Sequence, residues 1–202
     1  MLTGYRNNLE QLKGKQENAL ETFNSFKNQL SDNIEKQIII EKAQLIIQEV
    51  GQKTQSELKI HISNIVTMAL ESVFSDPYQF KLDFILKRGQ TEAIIKFVRN
   101  GYERDPLVAI GVGVIDIASF ALRIALWSIS SPRPTNTLIF DEPFKFLSRE
   151  LQPRAGEMLQ QISKKLGIQI ILVTHSKDLI DSADKVFSVS QRNGRSVIQD
   201  NK

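Results

Sequence analysis

The sequence contains no cysteine, which excludes disulfide bonds and metal sites built from thiolates. Among its 202 residues are only two histidines and one tryptophan, and the formal net charge is +3. A charge this small permits contact with a polyanion but does not require it. No apolar stretch approaches the ~18 residues of a membrane span, and the N-terminus has no apolar signal-peptide core. The composition therefore predicts a soluble, cytoplasmic protein without membrane contact.

A second absence concerns nucleotide binding. The sequence has no Gly-x-x-x-x-Gly-Lys-Ser/Thr motif, the loop whose backbone amides cradle phosphates. Residues 51–54 (Gly-Gln-Lys-Thr) match only its last part, without the upstream glycine and without a strand before it. Residues 51–54 therefore do not qualify as a phosphate-binding loop.

The most informative stretch that is present lies at residues 137–142, Thr-Leu-Ile-Phe-Asp-Glu. Four strand-prone residues lead into two carboxylates, which predicts a buried parallel strand with acids at its carboxyl end. Nucleotides and metals bind at that end of open α/β sheets. There Asp141 would hold Mg²⁺ through its water shell, and Glu142 would orient or deprotonate an attacking water. The alternative is a strand end followed by an ordinary surface turn.

The segments that follow predict the neighbouring strands. A helix over residues 149–166, which ends at Gly167, precedes an apolar strand over residues 168–173. In a parallel sheet the carboxyl ends of neighbouring strands lie side by side, so we expect His175 close to the two acids. An imidazole there would contact a terminal phosphate. A third parallel strand is predicted over residues 185–189, and a tight turn then sends a last strand, 196–198, back along it.

The N-terminal half predicts helices and one hairpin. Apolar positions spaced by three and four form the seam of a coiled coil, with a plain amphipathic bundle helix as the alternative. The apolar stripe widens over residues 39–50, a second helix is predicted over residues 56–74, and a β-hairpin over residues 79–99. The seam positions are Leu2, Tyr5, Leu9, Leu12, Gln16, Ala19, Phe23, Phe26 and Leu30.

Two glycines, Gly111 and Gly113, precede a helix predicted over residues 116–129. Exposed amides at a helix N-terminus attract phosphate, although the glycines are also typical of a plain loop. Asp116 is a candidate ligand in this segment, or simply the residue that caps the helix.

These motifs together resemble those of ABC-type ATPases. Asp141-Glu142-Pro143 looks like the Walker B motif, Thr174-His175-Ser176 looks like the switch histidine, and residues 113–123 stand in the place of the signature motif. The leading coiled-coil segment points to the SMC and SbcC-like branch. Three further stretches, residues 65–74, 87–92 and 141–147, are similar to bacteriophage SbcC-like recombination ATPases.

The resemblance implies an α/β fold, the C-terminal lobe of a P-loop NTPase head of the ABC type, with a parallel sheet and a preceding coiled-coil helix. It also implies that Asp141 assists Mg²⁺, that Glu142 is the general base and that His175 reads the γ-phosphate of ATP. The implied organisation is an arm helix over residues 1–50 and a head lobe over residues 51–202, with the hairpin at 79–99, the signature region at 111–127 and the Walker B motif at 137–142.

Further residues take roles through the resemblance alone. Gly113, Asp116 and Ser119 fall in the signature region, which caps ATP bound to the opposite subunit. Ser148 falls in the D-loop, which crosses to that subunit. The sequence departs from the family here, because Val-Gly-Val-Ile replaces the usual Leu-Ser-Gly-Gly and Ser148 stands where many relatives have an acid.

The predicted function follows from these parts. The chain would be the C-terminal half of an SMC/SbcC-like ATPase in DNA recombination, repair or end processing, active only with an N-terminal lobe that carries the phosphate loop. Its other partners would be a second ATPase pair, a nuclease subunit and DNA. The alternative is a non-catalytic module that binds and modulates a coiled-coil ATPase. A half-head alone is expected to self-associate, because its sheet would be incompletely covered.

Overall fold

The computed structural model describes residues 2–200, without the side chains of Leu2, Thr3 and Tyr5. The chain divides into two units, Met1–Thr54 and Gln55–Lys202. One helix, α1 (Leu2–Val73), forms the described part of the first unit and supplies the start of the second. The prediction of a separate helix over residues 56–74 is therefore wrong. No proline occurs before Pro77, and a helix accommodates an isolated glycine such as Gly51 at a cost of roughly 1 kcal/mol.

The first unit is a solvent-exposed helix. The predicted seam residues Leu9, Leu12, Phe23, Phe26 and Leu30 are each more than half exposed. The predicted positions Leu2 and Tyr5 lie outside the side chains described. Since helices in proteins gain most of their stability from packing of an apolar face, this exposed seam has the character of a contact surface.

The second unit begins with the last turns of α1 and an antiparallel sheet. Strands β1 (Gln79–Lys87), β2 (Gln90–Arg99) and β3 (Tyr102–Arg104) pair in the order β1-β2-β3. The hairpin predicted over residues 79–99 is present as β1 and β2. Hydroxyl groups of α1 accept hydrogen bonds from two amides of β1, so the helix and the sheet are fixed to each other.

A short helix, α2 (Pro106–Ala109), precedes the main core helix, α3 (Val112–Ile129). By length and composition alone α3 could cross a membrane, although Asp116 and Arg123 interrupt its apolar residues. Packing explains its apolar character, because one face of α3 lies in the hydrophobic core. The buried residues of α3 are Ile117, Ala118, Phe120, Ala121, Ile124, Ala125 and Trp127.

The predicted parallel crossover is present. Strand β4 (Thr137–Asp141) leads through a 3₁₀ turn (Arg149–Leu151) and helix α4 (Gln152–Leu166) to strand β5 (Gln169–Val173). The two strands pair in parallel, with Asp141 opposite Val173. Gly167 ends α4 with a φ of 62°, the left-handed conformation that glycine adopts most easily.

Two expectations about this sheet are wrong. Strands β6 (Phe187–Arg192) and β7 (Arg195–Asp200) follow the five-residue helix α5 (Lys177–Asp181) and form a separate antiparallel hairpin. The turn at Asn193-Gly194 pairs β6 with β7 at once, so β6 is not a third parallel strand within residues 2–200. In addition, β4 is not the fully buried strand predicted: within residues 2–200 the β4-β5 pair is covered on one face, while Ile139 on the other face is 70% exposed. This agrees with the expected incomplete covering of the sheet.

Candidate functional site

The turn after β4 is fixed by backbone contacts and by one buried ring. The amide of Glu142 donates to the carbonyl of Val173 at 2.8 Å, which extends the parallel pairing by one residue. Glu142 and Phe144 both have positive φ values, 46° and 65°. A non-glycine residue in this region stores backbone strain, which persists only when the surroundings enforce it. Phe144 is buried and packs its ring edge against Phe120, which holds the turn in place.

Glu142 and His175 lie together at the carboxyl ends of the two parallel strands. Nδ1 of His175 and Oε1 of Glu142 are 2.8 Å apart, which confirms the predicted proximity. The hydroxyl of Thr174 donates to the other oxygen of Glu142 at 3.5 Å, a weak hydrogen bond. The Glu142 side chain is 32% exposed and that of His175 is 84% exposed. The carboxylate is therefore partly enclosed, whereas the imidazole faces solvent.

The arrangement defines which nitrogen of His175 carries a proton when the ring is neutral. A carboxylate accepts hydrogen bonds, so Nδ1 must be the donor in this pair. Nε2 is then the unprotonated nitrogen, and no hydrogen bond to it occurs within the described part of the chain. A neutral His175 would accept a proton or hydrogen bond at Nε2, and a protonated one would donate there to an anion.

A cleft of about 700 Å³ surrounds this pair. It is lined by most of the turn at residues 142–149, by residues 174–178 and by Gln152 of α4. Lys145, Arg149 and Lys177 bring positive charge to it, while Glu142 and Asp178 bring negative charge. The cleft thus combines a carboxylate, an imidazole and several cations, a set that suits chemistry on a phosphoryl group.

The predicted site residues divide into three groups. Glu142, His175 and Ser148 line the cleft, and Ser148 also stands at the N-cap position of the 3₁₀ turn. Asp141 and Ser119 are exposed but do not line it. The remaining two, Gly113 and Asp116, contact the back of the turn.

Gly113 and Asp116 hold α3 against the turn. A Cβ atom on Gly113 would lie 3.1 Å from the carbonyl oxygen of Phe146, closer than an ordinary contact, so glycine allows a close approach here. Oδ2 of Asp116 accepts a hydrogen bond from the amide of Phe146 at 2.9 Å. The alternative that Asp116 caps its helix is wrong, because α3 begins earlier and Gly111 is its N-cap residue.

The acidic residues do not form a cation site by themselves. Within residues 2–200, no group of three or more His, Cys, Asp and Glu side chains is arranged to hold a metal ion. Asp141 presents an exposed carboxylate next to Glu142 at the strand end. A single carboxylate fits Mg²⁺, which keeps several waters and takes its other ligands from substrate phosphates. The residues present are therefore compatible with Mg²⁺ that arrives with a nucleotide.

The cleft also contains residues that the sequence did not single out. Gln152 bridges two of its walls, and Lys145, Arg149 and Lys177 supply its positive charge. A glutamine in the first turn of a helix carries no pattern that marks it as functional. The three cations could have been found only by placing the turn after β4 and the loop after β5 beside each other.

The strongest pKa shifts lie away from the cleft, on the β1-β2-β3 sheet. Hydrogen bonds from Lys81 and Lys96 lower the pKa of Glu103 from 4.5 to about 2. The same contact raises the pKa of Lys81, chiefly through its hydrogen bond to Glu103. A hydrogen bond from Lys59 of α1 lowers the pKa of Asp83. These pairs connect strands and helix and have no relation to the cleft.

Sequence comparison identifies relatives among DNA-repair ATPases. No protein-family model matches the chain. The chain is 38% identical to the DNA double-strand break repair Rad50 ATPase of Thermococcus kodakarensis over 80 residues, which are 40% of this chain and 9% of that protein. It is 27% identical to the Rad50 ATPase of Archaeoglobus fulgidus over 151 residues, 74% of this chain and 16% of that protein. The matches thus span a small part of these much longer relatives.

Structural comparison identifies ATPase heads. The fold is similar to a Smc head domain with a coiled coil and joint from Pyrococcus yayanosii, with a TM-score of 0.60, 20% identity and coverage of 84% of this chain and 32% of that one. It is also similar to an SMC ATPase chain studied for ATP-driven dimerization and DNA-stimulated activation, with a TM-score of 0.58, 19% identity and coverage of 76% of this chain and 89% of that one. The fold is therefore the C-terminal lobe of an ABC-type ATPase head of the SMC and Rad50 kind, preceded by a long helix.

Proposed function

We propose that the chain is the C-terminal half of an SMC/SbcC-like ATPase that acts in the cytoplasm in DNA recombination, repair or end processing. In this proposal it belongs with the bacteriophage members that its motifs resemble. It hydrolyses ATP only when an N-terminal lobe supplies the phosphate-binding loop. The observation that supports this most directly is the 2.8 Å contact between Glu142 and His175 at the ends of two parallel strands.

The proposed chemistry uses the two side chains in different ways. Glu142, partly enclosed and held on both oxygens, accepts a proton from the attacking water as general base. His175 keeps its Nδ1–H on Glu142 and, in its protonated form, donates from Nε2 to the γ-phosphate, so it senses whether that group is present. Asp141 holds the water shell of Mg²⁺, which when bound would offset charge on the phosphates.

The proposed N-terminal lobe binds the exposed face of the β4-β5 sheet. This face, which we call the bare face, consists of Ile139, Ile171 and Val173, which are 70%, 41% and 56% exposed. Parallel sheets are normally covered on both faces. Asp141 lies on the same face at the end of β4, so a lobe bound there would bring its phosphate loop next to the proposed metal ligand.

The proposed active assembly contains two such pairs. The related SMC chain was studied for ATP-driven dimerization, and this chain carries exposed hydroxyls, Ser119 and Ser148, at the regions expected to face an opposite subunit. Gly113 and Asp116 would contribute to capping ATP by fixing α3 against the turn that carries Ser148. A nuclease subunit and DNA complete the proposed list of partners.

The test is a steady-state ATPase assay with and without an N-terminal half that carries a phosphate loop. We expect no turnover above background for the 202-residue chain alone and clear turnover for the reconstituted pair. Glu142→Gln should lower kcat by at least about 100-fold, because it removes the general base, while ATP-dependent association is retained. Strong turnover by the chain alone would contradict the proposal.

One observation favours the alternative, a non-catalytic module that binds a coiled-coil ATPase. Gly113 and Asp116 of the signature region are engaged with the chain's own turn, and the usual Leu-Ser-Gly-Gly core is absent. Co-purification separates the two functions. A partner with a phosphate loop and ATPase activity that depends on Glu142 supports the half-ATPase, whereas activity unchanged by Glu142→Gln supports the module.

A further inference from the structure

We propose that Gln152 is a positioning residue that fixes the two loops of the cleft relative to each other, so that Glu142 and His175 keep their mutual geometry. This inference rests on the proposed function for its catalytic consequence, but its structural part can be tested on the chain alone. Gln152 is the first residue of α4, and it lines the cleft together with Glu142 and His175.

Both the oxygen and the nitrogen of the Gln152 side-chain amide form hydrogen bonds. Its Oε1 accepts a hydrogen bond from the hydroxyl of Ser176 at 2.5 Å. Its Nε2 donates to the carbonyl oxygen of Leu147 at 3.4 Å, a longer contact. Ser176 belongs to the loop after β5 and Leu147 to the turn after β4, so one side chain connects the two loops that carry the reacting groups.

A series of hydrogen bonds connects Ser176 with Glu142. The amide of Ser176 donates to the hydroxyl oxygen of Thr174 at 3.2 Å, and the Thr174 hydroxyl in turn donates weakly to Glu142. His175 lies between these two residues in the chain. Fixing Ser176 therefore restricts the backbone on both sides of the imidazole that contacts Glu142.

The chemistry of the amide explains why this position suits glutamine. The side-chain amide offers an acceptor to the Ser176 hydroxyl at one end and a donor to the Leu147 carbonyl at the other. Glutamate keeps the acceptor for Ser176 and loses the donor to Leu147. Methionine has a similar length and loses both. These two substitutions therefore remove the bridge in steps.

A matched control lies on the same helix. Gln160 of α4 also donates its side-chain amide to a loop carbonyl, that of Ser182, and it does not line the cleft. Gln160→Met removes a hydrogen bond of the same kind at a distance from the reacting groups. If Gln152 only stabilised the fold, both methionine variants would give the same readouts.

The structural test is ring-nitrogen NMR of the labelled 202-residue protein at mildly alkaline pH. The chain has two histidines, so His61 serves as the internal reference. We expect His175 to be protonated at Nδ1 in the wild type, in Gln152→Glu and in Gln160→Met, and to become a tautomer mixture in Gln152→Met. Protonation at Nε2 in the wild type, or an unchanged spectrum in a folded Gln152→Met, would overturn the proposal.

The kinetic test uses the reconstituted pair with its N-terminal half. Gln152→Met should lower kcat by about 10- to 100-fold, since small misplacements of reacting groups have effects of this size, with little change in the KM for ATP. Gln160→Met should leave both constants unchanged. Equal losses in the two variants would overturn the positioning role. An inactive wild-type pair would instead count against the proposed function, while the NMR result would still decide the role of Gln152.

Discussion

The two faces of the β4-β5 sheet differ sharply, although the same ten residues form both. On one face, Leu138, Phe140, Ile170 and Leu172 pack against the hydrophobic core. On the bare face, Ile139 and its neighbours remain in solvent. The same kinds of apolar side chain thus stabilise the fold on one side and offer a contact surface on the other. Residues 2–200 build one of the two layers that usually cover a parallel sheet.

A matched pair of truncations on adjacent residues gives the largest expected contrast. Phe140→Ala removes a buried ring and should lower the free energy of unfolding by about 3–5 kcal/mol. Ile139→Ala, one residue away on the bare face, should change it by less than about 0.5 kcal/mol. Urea denaturation of both variants measures the difference. Similar losses in the two variants would mean that the bare face is covered in solution.

Charge on the bare face tests its role as a contact surface. The double substitution Ile139→Lys and Val173→Lys should reduce self-association of the chain, measured by light scattering, and should abolish binding to the N-terminal half. Val189→Lys is the control, because Val189 is also exposed, at 68%, but belongs to the β6-β7 hairpin. Two results together would refute the assignment: a wild-type chain that is monomeric, and a doubly substituted chain that still binds the N-terminal half.

The smallest effect concerns the β1-β2-β3 sheet, which lies away from the bare face and carries ion pairs between its strands. The pKa of Glu103 is lowered from 4.5 to about 2 by Lys81 and Lys96. A lowered carboxyl pKa stabilises the fold above the unfolded value and loses that contribution as the pH falls through 4.5 towards 2. The protection factors of the β2 and β3 amides against hydrogen exchange should therefore fall over this range, and Glu103→Gln should flatten the dependence. A wild-type sheet insensitive to pH there would contradict the assignment.

Much of the site geometry could be predicted from the sequence. The crossover from β4 through α4 to β5 is short and regular, so the register of the parallel pair brings the residues after Asp141 and Val173 together. That is why the proximity of Glu142 and His175 followed from strand, helix and turn signals alone. The chemistry of phosphoryl transfer supplied their proposed roles.

Other features depend on tertiary packing that no local pattern encodes. Nothing in the sequence around Gly51 distinguishes one continuous helix from two, and the strand signal at residues 185–189 does not reveal its pairing partner. The close approach of Gly113 to Phe146 and the bridging by Gln152 arise between segments distant in sequence. Such contacts become visible only once the turn after β4 has been placed.

The left-handed backbone at Glu142 has a consequence for how loss of function would look. At a φ of 46°, glycine would have less backbone strain than any residue with a Cβ atom. Removing the carboxylate by Glu142→Gly would therefore relax the turn while it eliminates the proposed base. A variant that lacks the proposed base can therefore be more stable than the wild type, and thermal stability would be a misleading measure of the proposed activity.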